Sequence, residues 1–187
     1  MELEQIIEDV ADALVSVDAT GVPFKNFQAG VGPYGEPQVV GAIAKRLNDL
    51  ERYGGVVYTR RSPDLLIQGA WALEFKTVRP FGDNGKAAEN WSIHLLHPYE
   101  GNVSLIGDCL KLEKLGGPER KAGVVVGYEH TPPQISLAPV LAAFEIVARD
   151  VVGIRLNSRV ETRRAGLVHP VHQQLLVVGW EVLGRIL

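Results

Sequence analysis

Residues 62–78 constrain the fold of this chain more than any other stretch, because they predict a β-hairpin with charge on one face. Residues 71–78 are rich in aromatic and apolar side chains, which favours a strand. A short apolar run at 65–67 precedes them, and residues 68–70 supply a glycine-containing turn between the two. We therefore expect two antiparallel strands joined by a tight connection.

The alternation of side chains along the second strand predicts a cluster of charges. Successive residues of a strand point to opposite faces, so Glu74 and Lys76 share one face while Leu73 and Phe75 share the other. Antiparallel pairing returns Asp64 to the vicinity of Glu74 and Lys76. Two carboxylates and an ammonium suit Mg²⁺ binding and phosphodiester cleavage. The alternative is a surface hairpin that carries an acid and a lysine on its solvent face.

A further acid, Glu36, opens a helix that we expect to run to about residue 50. Pro37 suits the first turn of that helix, and Val40 and Ile43 continue the face from which Glu36 projects. Two roles for Glu36 remain open. It either complements the helix dipole, an effect of about 0.3–1 kcal/mol, or completes the metal site from the opposite wall.

The remaining periodicities predict an α/β protein. Helical spacing occurs over 3–16, 103–115 and 137–151, and strands are expected over 56–59, 122–128, 153–156, 158–162 and 174–182. The continuous apolar run at 122–128 is typical of a buried central strand. Residues 174–182 are also compatible with a helix, and we expect a strand. On the helix over 103–115 we assign Asp108 to the solvated face and retain Lys111 as a phosphate contact.

Length and composition indicate one globular domain over residues 1–187. The single cysteine, Cys109, excludes an internal disulfide, and we see neither a signal peptide nor an apolar run long enough to span a bilayer. We expect a cytoplasmic protein that does not associate with membranes. The five histidines lack a zinc-ligand spacing, so we assign them structural or surface roles.

The net charge of −3 means that any contact with nucleic acid must use a local basic patch. Arg60, Arg61 and Arg79 flank the hairpin and are our candidates for nucleic-acid binding, together with Lys111. A second group of arginines lies between residues 155 and 164 and has no predicted role. The glycine-rich loop after Lys76 is a natural place to touch substrate.

The order of these residues resembles the PD-(D/E)XK nuclease superfamily, which includes many restriction endonucleases. The resemblance covers about residues 30–80, within a core of about 30–130, and rests on a helix glutamate, Pro63-Asp64, nine intervening residues and Glu74-Phe75-Lys76. It implies a restriction-endonuclease-like core, that is, a mixed central β-sheet flanked by helices. No separate target-recognition domain is recognisable, so the sequence does not predict any base-sequence specificity.

The resemblance also implies a role for each residue of the motif. Asp64, Glu74 and the backbone carbonyl of Phe75 would bind Mg²⁺, for which Mn²⁺ would substitute. Lys76 would position or activate the attacking water and offset charge on the phosphate, so that Asp64, Glu74 and Lys76 form the catalytic set. Glu36 would bind a second ion or a metal-bound water.

We therefore expect a Mg²⁺-dependent endonuclease that acts on DNA, of restriction or host-defence type, which as a homodimer would cut both strands. A DNA repair or recombination nuclease, including a junction resolvase, is an alternative, as is a non-catalytic nucleic-acid-binding module that retains the fold. The sequence leaves open whether the substrate is DNA or RNA, and whether it is duplex, single-stranded or branched.

Overall fold

The computed structural model describes residues 1–98 and 104–185, and they form a mixed α/β fold around a seven-stranded sheet. The helices are α1 (Leu3–Asp18), α2 (Glu36–Asn48), α3 (Ile93–Leu96), α4 (Leu105–Lys114) and α5 (Ala138–Ile146). The strands are β1 (Val57–Thr59), β2 (Leu65–Ile67), β3 (Trp71–Val78), β4 (Arg120–Glu129), β5 (Ile154–Leu156), β6 (Val160–Ala165) and β7 (Gln174–Arg185).

The sheet order is β1-β2-β3-β4-β7-β5, and β6 pairs with β7 as well. Strands β3 and β4 are parallel, and α4 lies in the connection between them, whereas every other pairing is antiparallel. A parallel pair needs such a crossover because the chain must return to the starting end of the sheet. Strand β7 pairs with β4 at eight positions, whereas β2 pairs with β3 at only three, so one edge of the central pair is largely open.

Helices cover both faces of the sheet, as the alternation of side chains requires. On β4, Val124 and Val126 face the core formed with α1 and α2, while Val125 faces the core formed with α4 and α5. All three side chains are fully buried. This explains why the run at 122–128 is apolar at successive positions instead of alternating with polar residues.

The predicted hairpin is confirmed, with Leu65 paired to Leu73 and Ile67 paired to Trp71. The C-terminal segment is a strand, as expected, and it extends to Arg185. The helix predicted over 137–151 is α-helical only in its first part: α5 ends at Ile146, and a π-helical turn continues to Val152. Position 103, the start of another predicted helix, lies outside the described residues. None of the helices in the described ranges combines the length and apolarity needed to cross a membrane.

Buried Asp9 on α1 anchors the turn that follows α2. Its carboxylate is 4% exposed and accepts hydrogen bonds from Tyr53 Oη (2.7 Å) and Arg52 Nε (2.8 Å). A buried acceptor that loses its donor keeps its desolvation cost. We therefore expect Tyr53→Phe to lower the free energy of unfolding by about 1–3 kcal/mol in urea titrations. Tyr58→Phe, at a 43% exposed tyrosine, is the matched control and should leave it unchanged.

Candidate active site at the open edge of β3

Two charged residues of β3 occupy positions that would otherwise be apolar. Ala72 and Val78 face the core formed with α4 and α5, and Glu74 and Lys76 lie between them on the same face. Both charged residues are buried, at 4% and 7% exposure. Burying an isolated charge is costly, so each must have partners in the fold.

The edge of β3 that faces β2 is only partly paired, and acidic side chains occupy its free end. Strand β2 is three residues long, and its pairing with β3 stops at Leu73. Beyond that point the backbone N–H of Phe75 donates to Asp64 Oδ2 (2.8 Å), and the N–H of Thr77 donates to Glu36 Oε2 (3.3 Å). Asp64 and Glu36 thus lie side by side along this open edge, in the place where a further strand would bind.

Lys76 lies at the centre of the cluster. Its ammonium forms ion pairs with Asp108 Oδ2 (2.7 Å) and Glu36 Oε1 (3.1 Å), and it also donates to the carbonyl oxygen of Phe75 (3.1 Å). Burial lowers the pKa of Lys76, but Glu36 and Asp108 outweigh burial and raise that pKa above its ordinary value. The side chain is therefore held as a protonated hydrogen-bond donor.

Glu74 has a very different charge state. Burial and the neighbouring Asp64 carboxylate raise the pKa of Glu74 to about 8, although a hydrogen bond from Ser62 Oγ (2.8 Å) opposes the shift. Burial also raises the pKa of Glu36, against the attraction of Lys76. In both groups burial is the largest cause of the raised pKa, and the neighbouring Asp64 carboxylate adds to it.

Asp108 belongs to this cluster, and its assignment to the solvated face of a helix was wrong. The residue is 1% exposed, because the face of α4 that carries it packs against the sheet. Asp108 binds Lys76 on one side and Lys111 on the other (2.6 Å). The polar stripe on which it lies was visible in the sequence, but a stripe directed at buried charges has the same pattern as one directed at water.

The donor set is of the kind that a divalent cation requires. Asp64, Glu74 and the Phe75 carbonyl supply hard oxygen atoms, which are the ligands that Mg²⁺ prefers. Within residues 1–98 and 104–185, no group of three acidic, histidine or cysteine side chains is placed so that it could hold a metal ion. A third ligand would come from the Phe75 carbonyl, which the Lys76 ammonium contacts here.

Two of the predicted nucleic-acid-binding residues lie beside the acids. Arg60 and Arg61 are exposed and line a cavity of about 400 Å³ together with Glu36 and Asp64. We call this space the arginine cavity. Neither guanidinium forms an ion pair with any part of the chain that the structure describes, so both remain available to an anion.

The other two candidates are already engaged. Lys111 forms an ion pair with Asp108, although its side chain is 43% exposed. Arg79 is half-buried and donates from Nη1 to the carbonyl oxygen of Gly32 (2.6 Å). It lines a second cavity, of about 350 Å³, which also contains Thr77 and three aromatic side chains, those of Phe27, Phe81 and Trp91. We call this space the aromatic cavity.

Two buried histidines support one wall of the aromatic cavity. His169 Nε2 lies 2.7 Å from Asp83 Oδ1, and His172 Nε2 donates to the carbonyl oxygen of Phe81 (2.9 Å). The two imidazole rings stack with their centroids 4.4 Å apart. Burial lowers the pKa of His172 to about 4, so this ring is neutral at physiological pH. These contacts attach the loop after β3 to the segment that precedes β7.

The arginines between residues 155 and 164 lie away from Lys76. Arg163 binds Glu129 (2.7 Å), and Arg164 binds Glu8 and Asp12. Arg155 and Arg159 line a separate cavity of about 670 Å³ near Trp180, on the far side of β4 and β7 from the open edge. The fold therefore places Arg60 and Arg61 beside the acids of the site. It places the arginines between residues 155 and 164 away from those acids.

Comparisons of this chain with protein-family models, with curated proteins and with solved structures found no match.

Proposed function

We propose that this protein is a Mg²⁺-dependent nuclease with a restriction-endonuclease-like core, which hydrolyses phosphodiester bonds in DNA. One observation carries the proposal: Asp64, Glu74, Phe75 and Lys76 meet at the open edge of β3, and Glu36 reaches them from α2. A chance E-x-K sequence in a strand would not be expected to gather two further acids from separate elements. The mixed sheet with helices on both faces is compatible with the core that the resemblance implies.

The oxygen atoms of Asp64, Glu74 and the Phe75 carbonyl would hold the metal, and Glu36 would contribute to a second ion or to a bound water. When bound, Mg²⁺ supplies Lewis-acid polarisation of the phosphate and a water molecule of lowered pKa. The high pKa of Glu74 has a direct consequence for these residues. Its proton must leave before the carboxylate can act as a ligand, so we expect metal affinity to rise with pH.

Lys76 would act as a fixed positive donor at the scissile phosphate. Glu36 and Asp108 hold its ammonium from two sides and keep it protonated. A preorganised donor of this kind stabilises charge that grows on the phosphate oxygens during attack without needing to reorganise. Asp108 is then a positioning residue, because it acts through Lys76.

The arginine cavity offers a route for the nucleic-acid backbone to this site. Arg60 and Arg61 are exposed, free of ion pairs within the described ranges, and adjacent to Asp64. Guanidinium groups bind phosphate oxygens in a forked geometry, which orients the chain as well as attracting it. The overall charge of −3 makes such a local contact necessary.

Incubation with supercoiled plasmid tests the proposal directly. We expect nicked and then linear DNA with Mg²⁺ or Mn²⁺, and no conversion in EDTA.

Rising pH from 6 to 8 at low Mg²⁺ should increase the rate of cleavage, because Glu74 loses its proton in this range. Binding without cleavage of either the plasmid or single-stranded DNA, under either metal, would overturn the nuclease proposal in favour of a non-catalytic binding module. Asp64→Asn is the variant that should lose cleavage, and Asp49→Asn, at an exposed aspartate that follows α2, is its matched control.

A further inference from the structure

The aromatic cavity opens directly beside the proposed active site. Thr77 lines this cavity, follows Lys76 on β3 and donates its backbone N–H to Glu36. The side chain of Thr77 lies on the face of β3 opposite that of Lys76, so a group in the cavity would approach the proposed active site around the edge of β3, beside the Glu36 carboxylate. Its volume of about 350 Å³ falls in the range of small-molecule sites. The space is large enough for one nucleobase and too small for a base pair with its stacked neighbours.

The chemistry of this cavity suits a base better than a phosphate. Phe27, Phe81 and Trp91 present ring surfaces, and Phe27 is 45% exposed although it is apolar. Two carboxylates, those of Asp83 and Glu89, line the space together with Arg79 and His94, so its charge is mixed and does not favour an anion. The same carboxylates can accept hydrogen bonds from the exocyclic amino groups of adenine, cytosine or guanine. Aromatic faces stack on any base.

We propose that the aromatic cavity binds an unpaired base next to the scissile phosphate, so that the preferred substrate is single-stranded or contains an unpaired nucleotide. This inference rests on the proposed nuclease function. A base inside a regular duplex cannot reach such a cavity without leaving the stack, and leaving it is easiest for a base that lacks a partner. The phosphate beside that base then lies at Lys76, and the backbone continues towards Arg60 and Arg61.

Three oligonucleotides of one sequence test the inference: a perfect duplex, the same duplex with one bulged nucleotide, and the single strand. With Mg²⁺ we expect kcat/KM for the bulged and single-stranded forms to exceed that for the duplex at least tenfold. Equal kcat/KM for all three forms would overturn the inference and leave the nuclease proposal intact. Cleavage of none of them would overturn the nuclease proposal itself.

A binding measurement separates the two proposals further. In EDTA, the anisotropy of a labelled single strand should show that Phe27→Leu weakens binding about tenfold, because one stacking surface is lost. Tyr58→Leu removes an equally exposed aromatic ring on β1, outside the cavity, and should leave the Kd unchanged. Equal affinity of both variants for the single strand would overturn the base-binding role. A loss specific to Phe27→Leu would support it even for a protein that fails to cleave.

Discussion

Lys76→Ala is expected to reduce Mg²⁺-dependent cleavage by about 10²–10³-fold, the usual cost of removing one preorganised donor from an active site. It should also lower the free energy of unfolding by about 3 kcal/mol, because Asp108 loses a partner while it remains buried. We expect this decrease in the free energy of unfolding to lie at the low end of the range for buried ion pairs, since Lys111 continues to bind Asp108. Plasmid nicking and urea denaturation measure the two effects separately.

The double variant Lys76→Ala/Asp108→Asn distinguishes catalysis from stability. Removing the negative charge of Asp108 together with its partner eliminates the uncompensated buried carboxylate, so stability should return most of the way to that of the wild type. Cleavage should remain lost. Lys45→Ala, at an exposed lysine on α2 that lines neither cavity, is the matched control and should change neither quantity. Full cleavage by the folded double variant would exclude Lys76 from the reaction.

Glu74→Gln is expected to abolish cleavage and yet to stabilise the metal-free protein at pH 8. The carboxyl of Glu74 has an ordinary pKa of 4.5 when unfolded and a pKa of about 8 when folded, so the folded protein retains its proton between these values. The stability that this group contributes is complete below about pH 4.5 and is lost as the pH rises through 8. The loss proceeds at no more than about 1.4 kcal/mol per pH unit. Glutamine is neutral at every pH in this range, so the variant does not lose stability in this way.

Denaturation in EDTA between pH 5 and pH 8 measures this effect. The stability advantage of Glu74→Gln over the wild type should grow with pH, whereas Glu51→Gln, at an exposed glutamate, should show no such trend. Addition of Mg²⁺ should reverse the order at pH 8, because the wild type would gain the free energy of metal binding and the variant would not. A constant difference between variant and wild type across this pH range would show that Glu74 titrates normally.

The hairpin was predictable because its signals are local. Alternation along β3 places Glu74 and Lys76 on one face whatever the order of strands in the sheet, and the turn at 68–70 fixes the register that returns Asp64. Glu36 was predictable in part, since its helical face could be inferred but not the element that the face meets. The structure brings Glu36 to the N–H of Thr77 and to Lys76.

Asp108 was not predictable, because its position depends on the parallel pairing of β3 and β4. The crossover between these strands places α4 over Lys76, and only then does the polar stripe of α4 face a buried charge. Local periodicity contains no information about such a contact. Arg79 illustrates the same limit: its position beside the hairpin made it a candidate for nucleic-acid binding, whereas in the fold it is half-buried and donates to the Gly32 carbonyl.

The short length of β2 has a consequence for solution behaviour. A strand edge with free N–H groups is a template on which another chain can add a strand, and natural proteins protect such edges with charge. On β3 the N–H groups of Phe75 and Thr77 are bound by the carboxylates of Asp64 and Glu36. The acids that would hold the metal therefore also shield the sheet from aggregation through strand addition.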